Sequence, residues 1–328
     1  MTHNGASWTP SCVPRPRRSV LVLGLDFGGT KLAAGVVRAD TGRVVSFSAI
    51  PSPADAGAEA CLAAMITLGR DVSDELEVAS RIEAIGVSFG GWVALDGRTV
   101  RTSIHVAGWE GVRLAERLEE AFRRPTRIAN DADGAALAEF AYGAGRGSNG
   151  DLMYVTVSTG IGSGVLVGGR LVRGKQGFAG EIGHLPMLRD GPPCDCGRAG
   201  CLESVASGRG IARIARSLGA IDGTTAADVA AAAARGDQLL GPIWWDAMDW
   251  LGRAVASAAN LLDPELIVIG GGLTRSGSLL FEPVQRAVAR FAVDRSVRVL
   301  PAALGDHVGV AAGAALWHTA ERPEPGID

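Results

Sequence analysis

With 328 residues, 47% of them hydrophobic and 20% charged, the chain has enough apolar material for two cores of ordinary size, which excludes a single small module and a disordered polymer. Its 32 Lys and Arg against 35 Asp and Glu leave a net charge of -3, without the basic surplus of a nucleic-acid binder. No run approaches the roughly twenty apolar residues that cross a bilayer. Three of the five cysteines crowd into positions 194–201, a usage that fits metal binding in a reducing cytoplasm better than disulfides.

Residues 1–19 are rich in Pro and Arg, hold no apolar core of signal-peptide length and read as a disordered tail. Apolar runs over 20–25, 32–37 and 43–47, separated by glycine-containing turns, predict three strands joined by hairpins. Helical spacing follows over 58–76, 112–122 and 134–142; buried-type strands are predicted over 84–87 and 126–129. The opening pattern then recurs: an apolar run over 152–157, a glycine-rich turn over 158–164, a return strand over 165–167 and a further turn. The chain therefore reads as internally duplicated. After the cysteines it is mainly helical until a strand over 266–269 enters Gly270-Gly271-Gly272, and 308–317 has helical spacing again. Trp244, Trp245 and Trp250 read as core, with an interface as the alternative. This alternation predicts an α/β fold of two lobes with duplicated mixed sheets: a small lobe over 20–129, joined by a C-terminal helix over 308–320, and a large lobe over 130–307.

A turn reading Asp26-Phe27-Gly28-Gly29-Thr30-Lys31 directly after a buried strand suits a triphosphate. Gly28 and Gly29 let backbone N–H groups approach phosphate oxygens, Thr30 adds a hydroxyl, and Asp26 can hold Mg²⁺ through water. The blander reading is a hairpin turn whose glycines permit positive φ. Ser158-Thr159-Gly160-Ile161-Gly162-Ser163-Gly164 repeats the arrangement, so that two loops can clamp one nucleotide. Gly271 and Gly272 offer a third close backbone approach or simply a strand-to-helix turn.

Cys194, Cys196 and Cys201 lie in a Cys-x-Cys-Gly-x-x-Gly-Cys knuckle, and His184 lies ten residues before it. Three sulfurs and one imidazole complete a closed tetrahedral zinc shell, the structural rather than the catalytic arrangement. Fixing that metal also fixes Glu181 and Glu203 on one wall of the cleft. Metal loss is expected to remove substrate binding before it reaches the nucleotide loops.

These motifs, together with Asn130-Asp131, Gly180-Glu181-Ile182-Gly183-His184 and Leu202-Glu203, resemble in order and spacing those of the ROK (repressor, open reading frame, kinase) family of sugar kinases, over about residues 20–317. The resemblance implies an actin-like, ribonuclease H-like ATPase fold, a homodimer, and phosphorylation of a hexose or amino-hexose at the 6-hydroxyl by ATP and Mg²⁺. It implies that Asp131 is the general base and that Gly91, Asn130, Glu181, His184 and Glu203 meet the sugar. Asp26, Gly28, Gly29, Thr30, Lys31, Thr159, Gly160, Gly162, Gly271 and Gly272 are implied at the nucleotide, and the same four zinc ligands recur. A plain helix N-cap is the alternative for Asp131.

Departures from the family pattern bear on the acceptor. His105 stands where glucokinases of the family carry an Asn that touches the sugar, Asp133 stands where Asn is common, and the proline usual near Gly90-Gly91 is absent. A histidine and an additional carboxylate suit an amino group on the ring, so kanosamine (3-amino-3-deoxyglucose) and N-acetylmannosamine stand beside glucose as expected acceptors. Competing readings are a sugar-responsive regulator, which would need a helix-turn-helix in the nineteen residues before Val20, and a catalytically inactive sugar sensor.

Overall fold

A computed structural model of the chain describes residues 20–75, 79–103 and 106–318. The first half runs β1 (Leu21–Phe27), β2 (Lys31–Arg38), β3 (Val44–Pro51), α1 (Gly57–Asp74), β4 (Ile82–Phe89), β5 (Trp92–Val93), β6 (Val100–Thr102), α2 (Leu114–Phe122), β7 (Thr126–Asn130) and α3 (Asp131–Tyr142). The second runs β8 (Leu152–Val157), β9 (Ile161–Val167), β10 (Arg170–Leu171), α4 (Leu202–Ala206), α5 (Gly208–Ser217), α6 (Ala226–Ala234), α7 (Gly241–Leu262), β11 (Leu266–Gly270), α8 (Ser278–Phe291), β12 (Arg298–Pro301) and α9 (Val308–His318).

Two five-stranded sheets have the orders β3-β2-β1-β4-β7 and β10-β9-β8-β11-β12. In each, three antiparallel strands are followed by two that add in parallel. The predicted duplication is therefore one topology used twice. Its central strands, β1 and β8, are nearly continuous apolar runs because both their faces are covered. Helices α1 and α2 cover the outer face of the first sheet, and α4 to α8 pack with the second in a separate core. Trp244 is fully buried there and donates its indole N–H to the Leu279 carbonyl (3.0 Å), whereas Trp245 is 42% exposed.

Between the sheets lie α3 and α9. Helix α9 rests directly on the backbone of the first sheet: a side chain at Gly24 or Gly86 would overlap the α9 backbone at Val310 or Gly313. Helix α3 meets β9 in the same way, and a Cβ at Gly164 would come within 2.6 Å of the Ala132 carbonyl. Glu139, buried in α3, receives N–H donors from Ala144 (2.8 Å), Ala303 (3.0 Å) and Leu304 (3.0 Å), which ties α3 to the segment leading into α9. A buried carboxylate with three backbone donors is satisfied rather than strained.

Two expectations are corrected in detail. Ile161 to Gly164 are not loop but the first part of β9, with Gly162 opposite Thr156 and Gly164 opposite Tyr154; small residues are needed there because α3 sits on that strand. Helix α3 begins at Asp131, not near Gly134. Residues 1–19 and the extension of α9 to 320 lie outside the described residues. No helix among the described residues is long and apolar enough to cross a membrane.

Candidate active site

The parallel registers of the first sheet set the floor of the site. Asp26 lies opposite Ser88, Phe27 opposite Phe89, and Phe89 opposite Asn130, so β1, β4 and β7 end at one level. Gly28 to Thr30, Gly90-Gly91 and Asn130-Asp131 follow those ends and line a cleft of about 440 Å³. Its other wall is Ser158 to Ser163, Glu181, His184, Glu203 and Arg209. The first loop is a tight hairpin in which Gly28 N–H donates to the Lys31 carbonyl (3.0 Å).

Asn130, not Asp131, caps α3. Its Oδ1 accepts from the N–H groups of Ala132 (2.9 Å) and Asp133 (3.3 Å), while its Nδ2 donates to the Gly91 carbonyl (3.0 Å). Asp131 is thus the first helical residue, left free to face the cleft, with the Ala132 N–H also donating to its Oδ1 (2.8 Å). Its carboxylate is open to the cleft on one side and crowded by protein on the others. Burial, then the neighbouring charges of Asp26 and Glu181, push its pKa up to about 6, against the pull of backbone N–H groups.

Asp26 lies beneath the cleft rather than on its surface. Its carboxylate abuts the first turn of α9, where a Cβ at Gly309 would overlap it. Burial raises its pKa, and Ser88 and Lys31 draw it part of the way back, although the Ser88 hydroxyl lies outside full hydrogen-bonding geometry. Asp133 is turned away into a side cavity of about 20 Å³, room for a single water, shared with Arg173 and Glu181. Burial pushes it up to about 7, Arg173 opposing and Asp131 and Glu181 adding to the rise. Lys31, Gly271 and Gly272 are not among the residues lining the cleft. Gly271, at φ +90°, packs on the Val157 carbonyl and braces the second loop from behind. His105 lies outside the described residues.

The ligand atoms of His184, Cys194, Cys196 and Cys201 all lie within 4.8 Å of one another. Cys196 Sγ and Cys201 Sγ are 3.7 Å apart, and Cys194 Sγ is 3.7 Å from His184 Nδ1. Zinc–sulfur bonds of about 2.3 Å give a tetrahedron with edges of about 3.8 Å, which these two separations match, so the cluster is compatible with zinc. The other imidazole nitrogen, Nε2, faces Glu181 Oε2 at 3.7 Å. Hence one ring serves both the cluster and the cleft. Glu181 is steadied by the Trp92 indole N–H (3.0 Å).

Glu203 joins the knuckle to the second loop. Its Oε2 accepts the Ile161 N–H (2.8 Å), and its Oε1 lies 3.9 Å from Cys194 Sγ. Gly208 N–H donates to the Ser158 carbonyl (2.8 Å) and Arg209 N–H to the Thr159 carbonyl (3.2 Å). The cysteine knuckle and the second loop are thus joined through the Glu203 carboxylate and the start of α5. Trp92 and Arg209 were not singled out from sequence, having no motif around them.

Two sheets of one topology closing on a glycine-lined cleft with an acidic floor are the architecture of the actin-like ATPases that phosphorylate sugars, and the protein is a sugar kinase of this class. The chain belongs to the ROK family, whose model matches residues 22–320. It is 32% identical over 325 residues to a glucokinase of Streptomyces coelicolor, spanning 93% of this chain and 99% of the relative. It is 36% identical over 253 residues to an N-acetylmannosamine kinase of Shigella flexneri, spanning 77% and 83%. The structure of a ROK family glucokinase from Streptomyces griseus in complex with glucose and AMPPNP superposes with a TM-score of 0.79 at 31% identity, covering 90% of this chain and 98% of that one.

The purified protein is expected to carry about one zinc per chain, measured by elemental analysis. Cys201→Ser should drop that ratio well below one, and retention of full zinc by the variant would remove the cluster as the binding site.

Proposed function

We propose that the protein transfers the γ-phosphoryl group of ATP to the 6-hydroxyl of a hexose or amino-hexose, with Asp131 as general base. The observation that carries this reading is the place of Asp131: relieved of capping by Asn130, it faces the cleft between the first glycine loop and the Glu181–Glu203 wall. In this reading Asn130, Glu181, His184 and Glu203 hold ring hydroxyls, each carboxylate accepting two. Asp131 removes the hydroxyl proton as the sugar oxygen forms its bond to the γ-phosphorus; the bond from that phosphorus to the bridging oxygen breaks, and ADP leaves with the electron pair. The proton then passes from Asp131 to solvent.

The nucleotide reading assigns phosphate contacts to Gly28, Gly29 and Thr30 on one side and to Thr159, Gly160 and Gly162 on the other. The charge of Asp26 raises the proton affinity of Asp131, and two carboxylates so placed suit a nearby divalent cation. When bound with ATP, Mg²⁺ would neutralise phosphate charge, with Asp26 as its anchor through water. Residues 20–129 with α9, and residues 130–307, are proposed as lobes that draw together on the sugar and exclude water.

Asp131→Asn is expected to lower kcat by at least about a hundredfold while leaving sugar affinity within a few-fold. For the wild type, the base works only when deprotonated, so kcat/KM should fall about tenfold per pH unit below about 6. A variant with undiminished turnover would remove Asp131 from the chemistry.

For the acceptor we propose that amino-hexoses such as kanosamine or N-acetylmannosamine are accepted alongside glucose. Support comes from three carboxylates in the cleft, Asp131, Glu181 and Glu203, with Asp133 behind them, and from relatives that include both glucokinases and N-acetylmannosamine kinases. A panel of free sugars assayed with ATP and Mg²⁺, the phosphorylated position read by NMR, separates the cases. Turnover of glucose equal to or better than that of every amino-hexose would overturn the amino-sugar preference.

A further inference from the structure

Among the described residues lining the cleft, Arg209 is the only Lys or Arg, and it shares that cleft with three carboxylates, Asp131, Glu181 and Glu203. It is the second residue of α5, and its backbone N–H is already committed to the Thr159 carbonyl at 3.2 Å. Its side chain thus starts from a fixed point beside Thr159 and Gly160. The guanidinium Nη1 donates to Asp195 Oδ2, and Asp195 lies between the knuckle residues Cys194 and Cys196. Both side chains remain partly in solvent, 45% and 42% exposed, so the pair by itself contributes little to stability. One carboxylate oxygen uses one of five guanidinium donors, and the remaining fork matches the oxygens of a phosphate.

A second cation sits one helical turn further along α5. Arg213 donates to the Ser204 carbonyl (3.2 Å), while its buried Nε has no hydrogen-bond partner among the described residues. Arg213, Arg209, Thr159, Gly160 and Glu203 line one small cavity behind the second loop. Two positive side chains at i, i+4 therefore share one face of α5, on the side of that loop.

We propose that Arg209 is the residue that holds the phosphate chain of the nucleotide at the second loop, and that Asp195 is a positioning residue that aims it from the cysteine knuckle. Nucleotide affinity is then set partly by the knuckle, a segment otherwise associated with the sugar wall. The inference rests on the reading that the nucleotide lies along residues 158–162.

The test uses the zinc-replete full chain without sugar, titrated calorimetrically with ADP and, separately, with adenosine. Arg209→Ala is expected to weaken ADP about tenfold and to leave adenosine unchanged, with Arg209→Lys recovering part of the loss. Asp195→Asn should weaken ADP by less, and the double variant should bind no worse than Arg209→Ala alone, because Asp195 acts only through the guanidinium. Equal ADP affinity in wild type and Arg209→Ala, at unchanged melting temperature, would overturn the proposal, as would an equal loss for adenosine. Should Arg209→Ala not fold, the same comparison is made with Arg209→Lys and Asp195→Asn, and undiminished ADP affinity in both counts against it. A wild type that binds no ADP would instead remove the nucleotide cradle on which the inference stands.

Discussion

Asp26 and Asp131 are acidic groups brought together where three parallel strands end, and the cost of the Asp26 charge beside Asp131 has to be offset by the surrounding fold. Part of the offset comes from the two helices between the sheets. Asp131 is the first residue of α3, and Asp26 abuts the first turn of α9, so each carboxylate sits at the positive end of a helix. Burial, joined for Asp131 by the charge of Asp26, still leaves the proton affinity of both groups raised. The duplicated topology is what supplies two sheets with a helix seam between them. Gly24 and Gly86 let α9 settle on the first sheet, and Gly164 lets α3 settle on the second. Glu139 then fastens the end of α3 to the chain that enters α9.

The opposite wall is built differently. It has little regular structure of its own and depends on the knuckle of His184, Cys194, Cys196 and Cys201 for its shape. His184 turns one nitrogen to the cluster and the other to the cleft, and Glu203 turns one oxygen to the cluster and the other to the second loop. The wall of Glu181 and His184 and the second glycine loop are therefore joined through one short segment.

Much of this was legible in the sequence, for reasons that can be named. The strands β1 and β8 are uninterrupted apolar runs followed by glycine turns, and the spacing of three cysteines and a histidine is short-range information. What was not legible depends on contacts distant in the chain. Gly134 reads as the start of a helix, yet it lies inside α3, at a place where a side chain would crowd Ala312 of α9 (2.9 Å). Gly162 and Gly164 look like loop, yet they are strand residues, and Gly164 is pressed by α3. Glu139 finds two of its donors 164 and 165 residues away, and Arg209 acquires its meaning only when α5 is laid beside Thr159. Asp133, read as an additional sugar-facing carboxylate, opens instead into a side cavity behind Asn130.

The account depends most on the seam placing Asp26 and Asp131 together, and Gly309 is where that placement can be disturbed without touching a reacting group. Gly309→Ala puts a methyl group where the Asp26 carboxylate lies and forces it aside, while alanine keeps or improves the helix. The decisive measurement is steady-state phosphoryl transfer by this variant, with its melting curve taken in parallel. A fall in kcat of about a hundredfold in a folded protein is the expected result; an unchanged kcat would contradict the claim that the packing of α9 against Asp26 organises the site.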